Sequence, residues 1–375
     1  MPAPPPTVLQ VLPALRAGGV EQGTVEIARA LVEAGGKALV ASAGGPMVAA
    51  LEAVGAQHVT LPLDRKNPLL LPAQARALAE VARAEGVRIV HARSRFPAWA
   101  ALMAARATGA RFVTTYHGSY NEGLPGKRLY NSVMARGERV IAISGHIAAL
   151  VRERHGVGED RLRIIPRGVD PQRFDPDAVD PARLRMLRRE WDLPPGLPVV
   201  VLPARLTRWK GGEVLLRAAA LMAEPRPAIV LAGDAQGRDG FVAELRTLAR
   251  ASGAPVRLPG PVADMPAALA LADVVIHAST DAEAFGRTVI EAQAMRRPVI
   301  ASDLGAPRET VEEGVTGWRV LPGDAAALAG AIARALSMSE DERAAMGEAA
   351  RAAVLARYTT AAMAEATLAV YRELA

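Results

Sequence analysis

No cysteine occurs among the 375 residues, which excludes a disulfide scaffold, a zinc ribbon and a thiol nucleophile at once. That absence suits a reducing cytosol, where the chain is expected to work. Aromatic side chains are scarce, at 4% of the sequence, so packing must come from Ala, Val, Leu and Ile. No uninterrupted apolar run reaches the ~18 residues that a membrane-crossing helix needs. The start, MPAPPPTVLQ, has neither the basic nor the apolar region of a secretory leader and is read as none. HExxH, a Walker loop and GxSxG are all missing, which leaves the corresponding metalloprotease, nucleotide hydrolase and serine hydrolase chemistries without support. The formal net charge is +6, yet the cations are interspersed with Asp and Glu and form no basic run with interleaved aromatics. Nucleic acid is therefore not an expected partner. The excess reads either as arginine spread over solvated helix faces or as attraction to an anionic ligand or surface.

What the chain does hold is apolar material for two cores, since half of it is hydrophobic and its length suits two domains. Short β-rich runs alternate with Ala/Leu/Arg-rich stretches of helical period. TVLQVL (7–12), KALVAS (37–42), VRIVHA (87–92), RFVTTY (111–116), RVIAIS (139–144) and RLRIIP (161–166) read as buried parallel strands. Between them VEIARALVEAG and PAQARALAEVARAEG repeat apolar residues at helical spacing, with Gly35 and Gly86 at the expected stops. The alternation pauses at DPQRFDPDAVDP (170–181) and resumes through LPVVVLPARL, PAIVLAG, APVRLPG, DVVIHAS and RPVIAS. Such alternation predicts an α/β architecture of two doubly wound, Rossmann-like domains, spanning 1–170 and 171–357 and linked through 170–181. Ser339 and Glu342 carry the signature of a capping box for a long helix.

Four segments carry chemistry. In STDAEAFGRTVIEAQAMRRPVIASDLGAPRETVEEGVTGW (279–318), Glu283 and Glu291 stand eight apart with Phe285 and Gly286 between them, where a strand gives way to a helix. A helix opening at Gly286, Arg287 and Thr288 offers free N–H groups and a positive dipole end to an anion. Glu283 can reach hydroxyls of whatever the anion carries, and Glu291 can accept from a vicinal diol such as ribose. In ARLTRWKGGE (204–213), Arg205 and Lys210 share a strand-to-helix loop, two cations suited to a diphosphate whose charge grows as it departs. RAGGVEQGT (16–24) places Gly18 and Gly19 after the first strand, allowing close backbone approach. TYHGS (115–119) puts His117 beyond a strand's carboxyl end, where open α/β sheets bind ligands. His58, His91, His146, His155 and His277 read as structural. Asp175-Pro176-Asp177 has the form of a metal-binding Asp-x-Asp, but it lies in the proline-rich linker and is discounted.

Together these segments resemble the retaining glycosyltransferases of family 4 with the GT-B fold, over nearly the whole chain, and DLGAPRET (303–310) is similar to bacterial enzymes of lipopolysaccharide-core or capsule synthesis. The paired glutamates Glu283 and Glu291 match the family's motif, with Ala284-Phe285-Gly286 where Glu-Gly-Phe-Gly is common. RGVDPQRF (167–174) matches its end-of-first-domain signature. The resemblance implies two domains facing each other across a cleft, with an acceptor-side first domain and a nucleotide-sugar-binding second one. A final helix from about 358 to 375 would return to the first. It implies a UDP- or GDP-linked hexose as donor, a saccharide or lipid-linked acceptor, and no metal or cofactor besides the donor. Glu291 would hold the ribose, Arg205, Lys210 and the amides at Gly286–Thr288 the diphosphate, and Glu283 and His117 the hexose. The acceptor would enter on the leaving-group face with retention of configuration.

A dinucleotide-dependent oxidoreductase would need G-x-G-x-x-G after the first strand, where this chain has GGVEQG. A sugar-nucleotide epimerase or hydrolase on the same fold, or a silent nucleotide-sugar binder, remain as alternatives. Residues 123–139, GLPGKRLYNSVMARGER, mix Lys127, Arg128, Arg136 and Arg139 with Leu124, Leu129, Tyr130, Val133 and Met134. That stretch reads either as a surface helix with its apolar face in the core or as peripheral contact with the cytoplasmic face of an anionic membrane.

Overall fold

The computed structural model describes residues 5–16 and 18–375. Met1–Pro4 of the proline-rich start and Ala17 of the first glycine loop lie outside them, and with them those parts of the N-terminal readings. The chain divides into two compact units, Met1–Arg167 with Thr360–Ala375, and Gly168–Thr359. The divisions fall two or three residues from the expected boundaries. The cause is a backbone pairing: the N–H of Val169 donates to the carbonyl of Tyr358, and Val169 bridges Thr359. This ties both crossing strands into the second unit. The Asp/Pro-rich segment read as a linker lies inside that unit too, where Asp175 and Asp177 pair with Arg351 and Arg296.

The first unit holds seven strands: β1 (Val8–Val11), β2 (Ala38–Ser42), β3 (Gln57–Thr60), β4 (Ile89–Ala92), β5 (Arg111–Tyr116), β6 (Arg139–Ala142) and β7 (Leu162–Ile164). The second holds six: β8 (Val199–Pro203), β9 (Ala228–Ala232), β10 (Val256–Gly260), β11 (Val274–His277), β12 (Val299–Ser302) and β13 (Trp318–Val320). All pairings among them are parallel. The orders are β3-β2-β1-β4-β5-β6-β7 and β10-β9-β8-β11-β12-β13. In each sheet the winding reverses once, between β1 and β4 and between β8 and β11. At such a reversal the loops leaving neighbouring strands diverge and open a crevice at their carboxyl ends.

Burial explains most of the strands that could be read in advance. The edge strands β7 and β10 are legible too, although β10 is half-buried throughout and β7, expected to be buried, leaves Ile164 exposed. The residues of β1, β2, β4, β8, β9, β11 and β12 are all buried, as strands covered on both faces should be. The edge strands β3 and β13, which the sequence reading missed, are mostly half-exposed and carry no apolar run.

Helix Gly19–Glu33 buries Val25, Ile27, Ala28 and Leu31 on β1 and β2. The closing helix Thr360–Glu373 adds Met363, Leu368, Val370 and Tyr371 to the same core. It is anchored by a polar chain in the interior: the Tyr371 hydroxyl lies 2.7 Å from Nδ1 of His91, and Nε2 of His91 lies 2.7 Å from Oγ1 of Thr115. Glu373 at the helix end pairs with Arg139 and Arg163 at 2.7 and 2.9 Å. Burial, with Arg93 and Arg167 nearby, holds the His91 imidazole well below its ordinary pKa, so the chain of hydrogen bonds is neutral.

Tyr371→Phe removes the hydroxyl and leaves a buried imidazole nitrogen unpaired, at a cost of about 1–3 kcal/mol. Hydrogen exchange is expected to quicken at the amides of β4 and β5 and to stay unchanged in β8.

Candidate active site

In the second unit the loop leaving β8 carries Arg205 and then a single 3₁₀ turn, Arg208–Lys210, before helix Gly212–Leu221. Arg208 fastens that turn by pairing with Glu213 and Glu244, each at 2.7 Å. The carbonyl of Trp209 accepts from the N–H of Thr280 at 2.7 Å, which pins the loop to the segment following β11. Gly211 completes the contact. Its φ is 75°, and a Cβ there would stand 1.9 Å from the carbonyl oxygen of Ala278, so only glycine lets the loop lie this close. Lys210 consequently projects across the end of β11, its ammonium 4.1 Å from the centre of the Trp209 ring, and forms an ion pair with Glu283.

Glu283 is held from the other side by its own backbone. It bridges Gly305, and its carbonyl accepts from the N–H of Ala306 at 3.0 Å. Nε2 of His277, the last residue of β11, lies 3.4 Å from the Glu283 carboxylate. Burial pushes the Glu283 carboxyl up, but the His277 hydrogen bond and the Lys210 charge outweigh it and hold it at about 2. At neutral pH it is an anion and a hydrogen-bond acceptor, with no proton to give. Past it, Phe285 is buried edge-on against Tyr358, ring centres 5.8 Å apart. Gly286, at φ 81°, then caps helix Arg287–Ala294. On that helix the Arg287 guanidinium stands 3.4 Å from Glu291, and Thr288 is half-buried beside it.

The sequence-read residues of this unit thus fall into two contacting pairs and one residue apart from them. Lys210 and Glu283 are in contact, and Arg287 and Glu291 are in contact one turn into the next helix. Arg205 is exposed and makes no side-chain hydrogen bond or ion pair among the described residues. His277, read as structural, instead touches Glu283. Its signal was available in principle, because it ends the strand on one side of the reversal.

In the first unit Gly18 is the N-cap of helix Gly19–Glu33, with no side chain capping it, so the amides of its first turn are open. His117 follows β5. Its N–H donates to the Tyr120 hydroxyl at 3.3 Å, and its Nδ1 lies 2.9 Å from Nη2 of Arg167. Its Nε2 is buried without a hydrogen-bond partner among the described residues. Burial, then Arg167, Arg93 and His91, hold His117 well below its ordinary pKa. Arg93 and Arg167 are 3% and 5% exposed; sequence reading passed over Arg93 and gave Arg167 no role beyond opening the RGVDPQRF signature. Each stands just past a strand end, Arg93 after β4 and Arg167 after β7. Of the residues read as structural, His58 bonds Ser42 and His155 lies against Tyr116 and Glu122.

Among the described residues no group of three or more His, Asp or Glu side chains is gathered as for a metal. No helix among them is long and apolar enough to cross a membrane. The stretch 123–139 is divided. Val133 and Met134 are fully buried, while Leu124 and Leu129 are exposed. Arg139 pairs with Glu373 and Arg136 sits over the Trp99 ring, while beside the exposed leucines Arg128 donates to the carbonyl of Arg154 and Lys127 lies over the Tyr130 ring.

Residues 17–173 match the profile described as Glycosyltransferase Family 4, and residues 185–353 the one described as Glycosyl transferases group 1. A D-inositol 3-phosphate glycosyltransferase of Xylanimonas cellulosilytica is 31% identical over 338 residues, covering 80% of this chain and 79% of that one. The solved structure of a glycosyltransferase from Rickettsia africae is 35% identical with a TM-score of 0.90 over 98% of each chain. Anabaena Alr3699/HepE, solved in complex with UDP and glucose, has a TM-score of 0.85 over 98% of this chain and 99% of its own. At 24% identity that likeness is one of fold.

The Glu283 carboxyl fixes a pH dependence of stability. Its folded value of about 2 lies below the ~4.3 of an unfolded glutamate. Its contribution is therefore present above pH ~4.3 and is lost as pH falls toward 2. Between about pH 5 and pH 3 the wild-type chain should lose roughly 1–2 kcal/mol more than Glu283→Gln, read from urea midpoints at the two pH values.

Proposed function

The chain is a member of the family 4 glycosyltransferases, built on the GT-B fold, and from that membership we propose that it moves a hexose from a UDP- or GDP-linked donor to a saccharide or lipid-linked acceptor of the cell envelope, with retention and without a metal. The observation that carries this reading is the Lys210–Glu283–His277 group at the β8/β11 reversal, beside the glycine-capped start of helix Arg287–Ala294. Lys210 and Glu283 neutralise each other when nothing else is bound. A diphosphate competes for the ammonium, and the carboxylate it releases is an acceptor for sugar hydroxyls. The same ligand therefore uses both halves of the pair. Arg205, uncommitted, supplies a second cation, and the positive end of the helix that Gly286 caps supplies a third source of positive potential. Together they meet the charge that grows on the departing phosphate, the role a divalent ion would otherwise take. Glu291 accepts from the ribose diol.

Because Glu283 is ionised and already shared between Lys210 and His277, it is a poor general acid and a poor nucleophile. The acceptor's proton then passes to the leaving phosphate, on the face from which that phosphate departs, and the anomeric configuration is kept. His117 addresses the hexose. The Anabaena structure with UDP and glucose supports the donor class. The similarity of DLGAPRET to envelope-polysaccharide enzymes supports the acceptor class. In this reading the enzyme works in the cytoplasm, and exposed Leu124 and Leu129 with Lys127 and Arg128 touch an anionic leaflet peripherally, each cation adding about 1 kcal/mol.

Lys210→Ala and Arg205→Ala are each expected to lower transfer roughly a hundredfold or more, whereas Glu291→Ala should chiefly raise the Kd for the nucleotide. Turnover should survive EDTA, and anomeric NMR of the product should show retention. The donor is found by thermal-shift screening of nucleotide-sugars, since a ligand of the native state raises Tm. Release of free hexose without an acceptor, or epimerised donor, would sink the transferase assignment. Sedimentation with anionic vesicles at low salt, lost at high salt, tests the membrane contact.

A further inference from the structure

We propose that Arg167 is a positioning residue which fixes His117 as a neutral imidazole carrying its proton on Nε2, so that His117 meets the donor sugar as a hydrogen-bond donor and never as a base. The proposal rests on the reading above, in which His117 addresses the hexose.

A guanidinium can only donate. With Nη2 of Arg167 at 2.9 Å from Nδ1 of His117, Nδ1 must present a lone pair, and the remaining proton belongs on Nε2. Arg167 cannot easily swing away, because it is buried beneath helix Gly19–Glu33 in a notch made by Gly23. A Cβ built at Gly23 would stand 2.1 Å from Nη1 of Arg167 and 3.1 Å from Nη2 of Arg93. Arg93 is anchored in turn: it donates to the Gln10 side chain at 3.1 Å, and Gln10 donates to the carbonyl of Thr24 at 3.0 Å. The titratable and charged groups around the imidazole are Arg167, Arg93, His91 and the Tyr120 hydroxyl, while Glu21 and Glu26 of the helix act on Arg93. Two guanidiniums beside a buried ring oppose a third positive charge, in the same direction as burial itself.

The far side of the ring then dictates its ligand. Nε2 is buried and lacks a protein partner among the described residues, and a buried donor left unpaired is costly. The group that completes it must be an acceptor, a sugar or phosphoryl oxygen. A neutral donor also suits a centre whose anomeric carbon becomes positive as the bond to phosphate breaks, where an imidazolium would repel it.

The test is ¹⁵N NMR of the imidazoles in the full chain, with His117 assigned by H117Q. Wild type should show the Nε2–H form and no titration from about pH 5.5 to 8. R167M removes the guanidinium. G23A keeps the guanidinium but crowds its end beside the ring; circular dichroism checks that each variant is folded, and R167M carries the test if G23A is not. In both variants His117 should show mixed tautomers. In R167M, which also removes one of the charges opposing protonation, the titration should move upward but stay below the ordinary value because the ring remains buried. The R167M transfer rate should acquire a loss on the acid side that wild type lacks. A wild-type proton on Nδ1, wild-type titration in that range, or an unchanged tautomer in both variants would overturn the assignment to Arg167. An intact Nε2–H tautomer in a chain that binds and transfers no sugar would overturn the functional reading instead.

Discussion

Each sheet of this protein winds outward in both directions from a central pair of strands, β1 with β4 and β8 with β11, and the chemistry depends on those two reversals. A parallel sheet buried on both faces has nowhere to expose a polar side chain except at its ends. Where the connections diverge, the carboxyl ends are left open. Arg205 and Lys210 follow one central strand of the second sheet, and His277 and Glu283 end or follow the other. Gly18 and Arg93 hold the matching places in the first sheet, with His117 and Arg167 following its outer strands. Charged groups are then fixed by a rigid apolar scaffold at a point where water can be exchanged for a ligand.

The two reversals are furnished differently. That of the second unit is balanced: Lys210 meets Glu283, and Arg287 meets Glu291. Opposite charges held this way compensate each other in place, and both members of each pair are of a kind that phosphates and hydroxyls can engage. The first unit concentrates cations, with Arg93 and Arg167 nearly fully buried beside two neutral histidines. Burying guanidiniums is expensive unless every donor is used, and the Nε of Arg93 has no hydrogen-bond partner among the described residues. The long-range ties through Gln10, Thr24 and the glycine notch show how closely that region is built around them.

Legibility in the sequence followed burial for the central strands and apolar content at the edges, where RLRIIP and APVRLPG are legible although only partly buried. Strands such as VVVLP and VIAS announce themselves because both faces are covered, whereas QHVT and WRV at the sheet edges carry no such run and went unread. The capping box at Ser339 and Glu342 is present as its residue types foretold. For the candidate site, Glu283 and Lys210 could be picked out because their spacing to glycines and strand ends is local. Their direct pairing, 73 residues apart, could not. His277 looked like any strand histidine, because what distinguishes it is a carboxylate brought from beyond the next turn. Arg93 and Arg167 were hidden for a related reason. An arginine in a sequence reads as surface, and only a notch at Gly23 reveals that these two are interior.

The closing helix Thr360–Glu373 carries a consequence for how the protein is made. Its Tyr371 completes a hydrogen-bonded chain that begins on β4, and its apolar face covers helix Gly19–Glu33. The whole of the second unit is threaded between the two parts of the first. On the ribosome, residues 168–359 emerge and can close their own core while the first unit still lacks its last layer. The half translated first is thus completed after the second unit, and its apolar helix face stands open to solvent or chaperones until residues 360–373 leave the exit tunnel.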